Sequence, residues 1–104
     1  MSEFTNVSVA KEANVYFDGG VISRTVIFGD GSKKTLGVML PGDYEFGTEV
    51  NELMEISSGG MDVLLPDATG WISITGGMSF EVLAKATFGV KVRAITNYCC
   101  SYFS

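Results

Sequence analysis

Short segments separated by turn-forming residues are the feature that most restricts the fold of this chain. Thirteen glycines occur among 104 residues, and the segments between them are rich in Val, Ile, Thr, Phe and Tyr. This composition and spacing favour strands over helices. No stretch carries the sustained 3.6-residue apolar period of an amphipathic helix. The chain is therefore predicted to be all-β.

About nine strands fit between the turns. They are Val21–Phe28, Thr35–Leu40, Asp43–Gly47, Leu53–Ser57, Met61–Leu65, Trp71–Thr75, Ser79–Leu83, Phe88–Thr96 and Tyr98–Phe103. Val7–Phe17 is a candidate opening strand, and residues 1–15 are expected to be less ordered or to form an edge strand. Such strands predict two sheets closed into a barrel, because closure leaves few exposed edges. The chain is long enough for one core, so residues 1–104 are expected to form a single domain.

Charge and hydropathy exclude two classes of partner. The chain has 7 Lys and Arg against 12 Asp and Glu, a net charge of −5, and no basic cluster. Nucleic-acid binding is not expected, because neutralising several phosphates requires clustered cations. No apolar run approaches the roughly 18 to 20 residues that span a bilayer, and residues 1–15 lack a secretory signal. We therefore expect no membrane association and a cytoplasmic location.

The reactive side chains also limit the chemistry. The chain contains no histidine, which removes the commonest metal ligand and general base and any serine or cysteine nucleophile that histidine activates. Cys99 and Cys100 are adjacent, so on a strand they point to opposite faces and are expected to stay reduced. The segment 29–34 superficially resembles a phosphate-binding loop, but its spacing and the lack of a following helix predict a β-turn.

The segment Pro41–Thr48 resembles the first conserved motif of the cupins. In that motif a glycine, two histidines spaced H-x-H, a glutamate and a later glycine follow one another. Here Phe46 and Thr48 hold the histidine places, whereas Glu52 and Gly59 keep the glutamate and the glycine.

The second cupin motif is similar to the stretch that begins at Gly77. Leu83 stands in its proline place and Phe88 in its histidine place. A single remaining carboxylate cannot hold a transition metal with useful affinity, since such sites take several ligands. The resemblance implies a cupin-like jelly-roll barrel that binds no metal.

A closer resemblance covers about residues 16–103. The matching segments are Tyr16-Phe17, Gly37-Val38-Met39, Pro41-Gly42-Asp43-Tyr44-Glu45-Phe46, Leu64-Leu65-Pro66-Asp67-Ala68-Thr69-x-Trp71 and Tyr98-x-Cys100-x-Tyr102. This order resembles the small bacterial pyrimidine/purine nucleoside phosphorylases. The resemblance implies a homodimer that cleaves many nucleosides to free base and ribose 1-phosphate, with inorganic phosphate as co-substrate and no cofactor. One departure lies at 82–85, Val-Leu-Ala-Lys, where members of the family often have Val-Pro-Gly.

Strand alternation predicts which side chains face the barrel interior. If the former metal positions point inward, residues two apart share that face. The predicted interior side chains are Tyr44, Phe46, Thr48, Phe88, Val90 and Val92. By the same alternation Lys91 and Arg93 point outward.

Glu52 is the predicted catalytic residue, because an acid retained without metal partners needs another reason to be inside. It would stabilise a developing oxocarbenium ion or bind ribose hydroxyls. The alternative is a surface glutamate in a turn over 49–52.

The predicted substrate-binding residues are Tyr44, Phe46, Thr48, Phe88, Tyr98 and Tyr102. Any base could stack on the apolar faces of Tyr44, Phe46 and Phe88. The alternative is that these rings only fill the barrel interior. Tyr98, Cys100 and Tyr102 share one face of the last strand, where a nucleoside or backbone carbonyls would satisfy the phenols.

Phosphate needs a cation or a concave set of backbone amides. The predicted phosphate-binding residues are Lys33, Lys34 and Lys85, of which Lys33 is preferred; the alternative for each is a solvated loop lysine.

Two other functions stay open at this point: a non-catalytic cupin that binds a base, nucleoside or sugar, and a purely structural or interaction protein.

Overall fold

A computed structural model describes residues 3–103 of the chain. Eleven strands follow one another in these residues. They are β1 Ser8–Val9, β2 Asn14–Tyr16, β3 Val21–Ile27, β4 Lys33–Met39, β5 Gly42–Gly47, β6 Asn51–Ser58, β7 Gly60–Leu64, β8 Ile72–Thr75, β9 Ser79–Val82, β10 Thr87–Val92 and β11 Thr96–Phe103. The one helical segment described is the single turn Phe17–Gly19 between β2 and β3. The all-β prediction is therefore confirmed.

The strands form two antiparallel sheets. The larger sheet has the order β1-β3-β4-β11-β6-β9, with β2 paired to β3, and the smaller sheet has the order β5-β10-β7-β8. Strands that are distant in sequence lie side by side, since β11 pairs with both β4 and β6. These pairings bring the two chain halves into one layered structure.

One hydrophobic core joins the two sheets. Met54 and Ile56 of β6 pack in the same cluster as Val63 of β7 and Val90 of β10, and all four are almost completely buried. Alternation along the strands produces this core, because every second side chain points between the sheets.

The alternation places the predicted interior residues as expected. Phe88, Val90 and Val92 are buried in the core, and the half-buried rings of Tyr44 and Phe46 pack against it. Lys91 and Arg93 are exposed on the opposite face. The ammonium of Lys91 lies 4.4 Å from the centroid of the Trp71 ring, and the guanidinium of Arg93 pairs with Asp62.

Several strand predictions need correction. The predicted strand Phe88–Thr96 is two strands, since β10 ends at Val92 and Thr96 already belongs to β11 in the other sheet. Trp71 precedes β8, and Leu83 follows β9. The opening segment Val7–Phe17 is not one strand, since it forms the two short strands β1 and β2 and Phe17 already belongs to the helical turn. Both strands pair with β3, in agreement with an edge position.

The turn after β3 is a β-turn, as predicted. Gly31 has a φ of 88°, and the carboxylate of Asp30 accepts a hydrogen bond from the Ser32 backbone amide at 2.9 Å. The amide of Phe28 donates to the carbonyl of Ser32 across the turn. Residues 28–32 therefore connect β3 to β4, and residues 33 and 34 already belong to β4.

The two cysteines point to opposite faces of β11. Cys100 lies in the core between the sheets and Cys99 lies on the outer face, and both thiols are free and buried. The prediction of two unpaired cysteines is confirmed. Within residues 3–103 no helix is long and apolar enough to cross a membrane.

Candidate functional site

A cavity of about 510 Å³ opens between the two sheets. Its lining side chains come from β2 to β6, β10, β11 and the turn after β2. The lining residues are Tyr16, Phe17, Ser23, Thr35, Met39, Glu45, Phe46, Gly47, Glu52, Met54, Phe88, Tyr98, Cys100 and Tyr102. The volume falls within the range of sites for small organic ligands.

One wall of the cavity is a row of aromatic rings. Phe17 at the mouth meets Phe46 edge to face at 5.5 Å, and Phe46 stacks on Phe88 at 5.5 Å. Phe88 continues the row to Phe80 in the core at 5.9 Å. Phe17 is 48% exposed whereas Phe88 is 3% exposed, so the row runs from solvent to the core. This aromatic row offers a flat apolar surface to a ligand.

The facing wall carries hydroxyl groups from the larger sheet. Ser23 of β3, Thr35 of β4 and the phenols of Tyr98 and Tyr102 on β11 line it. The hydroxyls of Thr35 and Tyr102 lie 3.0 Å apart, within hydrogen-bond distance. The cavity is therefore bipartite, with one aromatic wall and one wall of hydroxyl groups, and the carboxylates of Glu45 and Glu52 also line it.

Glu52 lies in the hydroxyl wall. It is the second residue of β6, directly opposite Tyr102 in the antiparallel pair, and its side chain is half-buried. The Cys100 thiol lies 3.4 Å from its Oε1 atom. Burial raises the pKa of the Glu52 carboxyl above its usual value, and the Cys100 thiol opposes this by donating a hydrogen bond. The alternative of a surface glutamate in a turn is wrong.

The neighbours of Glu52 keep their protons. Burial raises the pKa of Tyr98 to about 12 and that of the Cys100 thiol to about 12, and it also raises the pKa of Tyr102. The charge of Glu52 adds to each of these increases, because a nearby negative charge disfavours a second one. These groups are neutral donors at physiological pH, and Cys100 is a poor nucleophile.

Two of the predicted substrate-binding residues lie behind or beside the cavity. The hydroxyl of Tyr44 donates to the carbonyl of Leu40 at 2.8 Å, and Tyr44 is not among the lining residues. Thr48 is buried; its hydroxyl donates to the carbonyl of Leu83 at 2.7 Å and accepts from the amide of Ala86 at 3.1 Å. Thr48 thus holds the connection between β9 and β10.

The structure does not bring the three predicted phosphate-binding lysines to the cavity. Lys33 is exposed at the start of β4. Lys34 points away from the barrel, with its ammonium 5.7 Å from the Phe4 ring and 5.8 Å from the Phe28 ring. Lys85 is exposed in the connection after β9, where it has a φ of 56° and its amide donates to the Thr48 carbonyl. Among the described residues, those that line the cavity include no lysine or arginine.

Sequence reasoning missed nine of the lining residues as site residues, among them Tyr16, Phe17, Ser23 and Thr35. The first two belong to a segment of the family resemblance, which was the one available signal. Ser23 and Thr35 reach the cavity because β3, β4 and β11 are adjacent strands, and no local pattern encodes that adjacency.

The positions that correspond to histidines in the cupin motifs carry side chains with other contacts here. Phe46 and Phe88 belong to the aromatic row, and Thr48 holds the β9–β10 connection. Across residues 3–103, no three Cys, Asp or Glu side chains come together in a way that could hold a metal ion.

Solved structures with the same architecture identify the fold class. A cupin superfamily protein from Desulfitobacterium hafniense superposes with a TM-score of 0.65 at 14% identity, covering 89% of this chain and 84% of that one. An RmlC-like cupin from Shewanella frigidimarina gives a TM-score of 0.68 at 13% identity, covering 97% and 86%. The chain has a small cupin-like barrel fold, as the sequence predicted.

Closer relatives identify the family. The model of the pyrimidine/purine nucleoside phosphorylase family matches residues 11–102, so the chain belongs to that family. Relatives of that name occur in Geotalea uraniireducens, 64% identical, and in Hydrogenovibrio crunogenus, 60% identical, each over 98% of both chains. An Acinetobacter protein of unknown function, 42% identical, superposes with a TM-score of 0.95 over 97% of this chain and 98% of that one.

Proposed function

We propose that this protein cleaves purine and pyrimidine nucleosides with inorganic phosphate, giving free base and α-D-ribose 1-phosphate. The observation that supports this best is the bipartite cavity, in which Glu52 lies in the hydroxyl wall and faces the aromatic row. A nucleoside has the same division, with a flat base at one end and a ribose rich in hydroxyls at the other.

The aromatic row supports binding of the base. Stacking tolerates any base, because every base has a π face. Asn and Gln, the side chains that commonly hydrogen-bond base edges, do not occur among the described residues that line the cavity. Recognition by stacking without amide contacts supports acceptance of both purine and pyrimidine nucleosides.

Glu52 would stabilise the transition state. As the glycosidic bond breaks, its electron pair passes to the base nitrogen and the ribose ring becomes positively charged. A carboxylate in a half-buried cavity stabilises that charge more strongly than it would in water. An oxygen of H₂PO₄⁻ forms the new bond to the anomeric carbon, and the phosphate proton ends on the base nitrogen.

The hydroxyl wall would bind the ribose and the phosphate. The phenols of Tyr98 and Tyr102 and the hydroxyls of Ser23 and Thr35 can each donate to an oxygen without a counter-ion. Because the carboxylates of Glu45 and Glu52 both line the cavity, a phosphate that carries a proton suits this site better than a fully ionised one.

We also propose that the protein acts as a homodimer without a metal or an organic cofactor. Ile22 and Leu36 are exposed on neighbouring strands of the larger sheet, on the face turned away from the cavity, and a second copy would cover them. Sedimentation analysis tests the dimer.

Full activity after exhaustive chelation is expected, whereas activity lost on chelation and restored by one ion would refute the metal-free mechanism.

The decisive experiment is incubation with uridine, inosine or adenosine, with and without phosphate. Chromatography should detect free base only when phosphate is present, and ³¹P NMR should detect ribose 1-phosphate in equal amount. Release of base without phosphate would indicate a hydrolase. Thermal stabilisation by nucleosides without any release would indicate a binding module, and neither effect would indicate a structural protein.

A further inference from the structure

The mouth of the cavity has an unusual backbone. Phe17, Asp18 and Gly19 have φ values of 52°, 53° and 96°, so three consecutive residues adopt the left-handed conformation. This conformation is unfavourable for a residue with a Cβ atom and particularly for a bulky one. It persists where the surrounding structure fixes it, and such positions concentrate around ligands.

Tyr44 fixes this turn from behind. Its ring centroid lies 4.9 Å from that of Phe17, and its hydroxyl donates to the Leu40 carbonyl at 2.8 Å and lies 3.4 Å from the Gly20 carbonyl. The amide of Gly20 donates to the Phe17 carbonyl at 3.0 Å, and the amide of Leu40 donates to the Gly20 carbonyl at 2.8 Å. The ring and the backbone of the turn are therefore both held.

The result is an aromatic ring that is fixed but not buried. Phe17 stays 48% exposed although it lines the cavity and packs edge to face on Phe46. Core packing alone would not require a bulky residue in a strained turn with half of its surface in water. A flat ligand at the mouth would cover that surface.

We propose that Phe17 contacts the base of the bound nucleoside at the mouth of the cavity, and that Tyr44 is the positioning residue that holds Phe17 in place. This inference rests on the proposed function and adds an orientation to it: the base lies towards the mouth, and the ribose lies towards Glu52. Tyr44, expected from the sequence to touch the base, acts through Phe17 instead.

The first test is Phe17→Leu, which keeps an apolar side chain and removes the ring. The KM for uridine and for inosine should rise about tenfold, since stacking on one aromatic side chain is of that order. The kcat at saturation and the KM for phosphate should stay at wild-type values, and Phe17→Tyr should restore the nucleoside KM. The matched control is Phe103→Leu, an aromatic residue 54% exposed outside the cavity, which should change none of these constants.

The second test is Tyr44→Phe, which removes only the hydroxyl that anchors the turn. It should also raise the nucleoside KM. In the double variant with Phe17→Leu, the loss of nucleoside-binding free energy should be smaller than the sum of the losses in the two single variants, because the residues act as one unit. A purely structural role would lower the melting temperature of Tyr44→Phe without changing the nucleoside KM.

The outcomes separate this inference from the proposed function. If the wild type is active and Phe17→Leu has the wild-type nucleoside KM, the inference is overturned and the proposed function stands. A wild type that releases no base from any nucleoside overturns both. If Phe17→Leu does not fold, an unchanged nucleoside KM in Tyr44→Phe overturns the inference.

Discussion

The thiol of Cys100 donates a hydrogen bond to the carboxylate of Glu52 across the β6–β11 pair, with an Sγ–Oε1 distance of 3.4 Å. The two residues act on each other in opposite senses. The thiol lowers the pKa of Glu52, whereas the Glu52 charge raises the pKa of the thiol. The contact thus favours an ionised Glu52 beside a protonated Cys100, which is the state that the proposed chemistry needs.

Replacing Glu52 by Gln should reduce turnover far more than binding. The substitution keeps the shape of the side chain and removes the charge that faces the developing oxocarbenium ion. Loss of one such group costs about 10²- to 10³-fold in kcat, or roughly 3 to 4 kcal/mol. Steady-state kinetics with varied nucleoside measure both constants. A raised KM with unchanged kcat would assign Glu52 to ribose binding instead, and wild-type values for both would remove it from the mechanism.

The same substitution should also change how stability depends on pH. Burial raises the folded-state pKa of Glu52 above its usual value of 4.5, so the native state favours the protonated form. The stabilising contribution of the proton is complete below pH 4.5 and is lost as pH rises through the folded-state pKa. Glu52→Gln, which does not titrate, should therefore gain stability relative to wild type as pH rises above 4.5 and through the folded-state pKa of Glu52. Melting temperatures across this range measure the difference, and a constant difference would contradict the raised pKa.

Cys100→Ala should move the acidic limb of the pH profile to higher pH. Removing the thiol removes the hydrogen bond that lowers the pKa of Glu52, while burial and the neighbouring phenols of Tyr98 and Tyr102 remain. The pH dependence of kcat/KM reports this pKa in the free enzyme. The matched control is Cys99→Ala on the opposite face of β11, which should leave the profile unchanged. A shift to lower pH in Cys100→Ala would contradict the assigned hydrogen bond.

Thr48→Val should destabilise the protein without impairing catalysis. The change leaves the Leu83 carbonyl and the Ala86 amide without the hydroxyl that now satisfies them. Loss of a buried partner costs about 1 to 3 kcal/mol. Denaturant titration should show that loss, with kcat and both KM values unchanged, and Thr48→Ser should recover most of the stability. A raised nucleoside KM in a stable Thr48→Val protein would restore Thr48 to the substrate site.

Local patterns predict the interior of this barrel well and its cavity only in part. Phe46 and Phe88 follow from strand alternation and from the cupin motif, and Glu52 follows from its retained place in that motif. Ser23 and Thr35 enter the cavity through strand pairings across the sheet, which alternation cannot specify. The break between β10 and β11 is hidden because Ile95 continues the β-rich composition while the chain crosses from one sheet to the other.

Phosphate binding provides the sharpest remaining test of the site, because the sequence and the geometry favour different residues. The sequence favours Lys33, Lys34 and Lys85, yet all three lie away from the cavity. A variant with the three lysines replaced by Gln should keep the wild-type KM for phosphate at an ionic strength of about 0.15 M, where the Debye length of about 8 Å screens distant surface charges. Its stability should fall by about 0.5 to 1 kcal/mol, because the cation–π contacts of Lys34 are lost.

Tyr102→Phe is the companion variant in this experiment. It removes a phenol from the hydroxyl wall and should raise the KM for phosphate or for nucleoside several-fold, since one neutral hydrogen bond contributes about 0.5 to 1.5 kcal/mol. Phosphate saturation curves for both proteins decide between the two assignments. A large increase in phosphate KM in the lysine variant, with Tyr102→Phe unaffected, would place the phosphate at the surface lysines and would mean that a second copy of the chain brings them to the cavity.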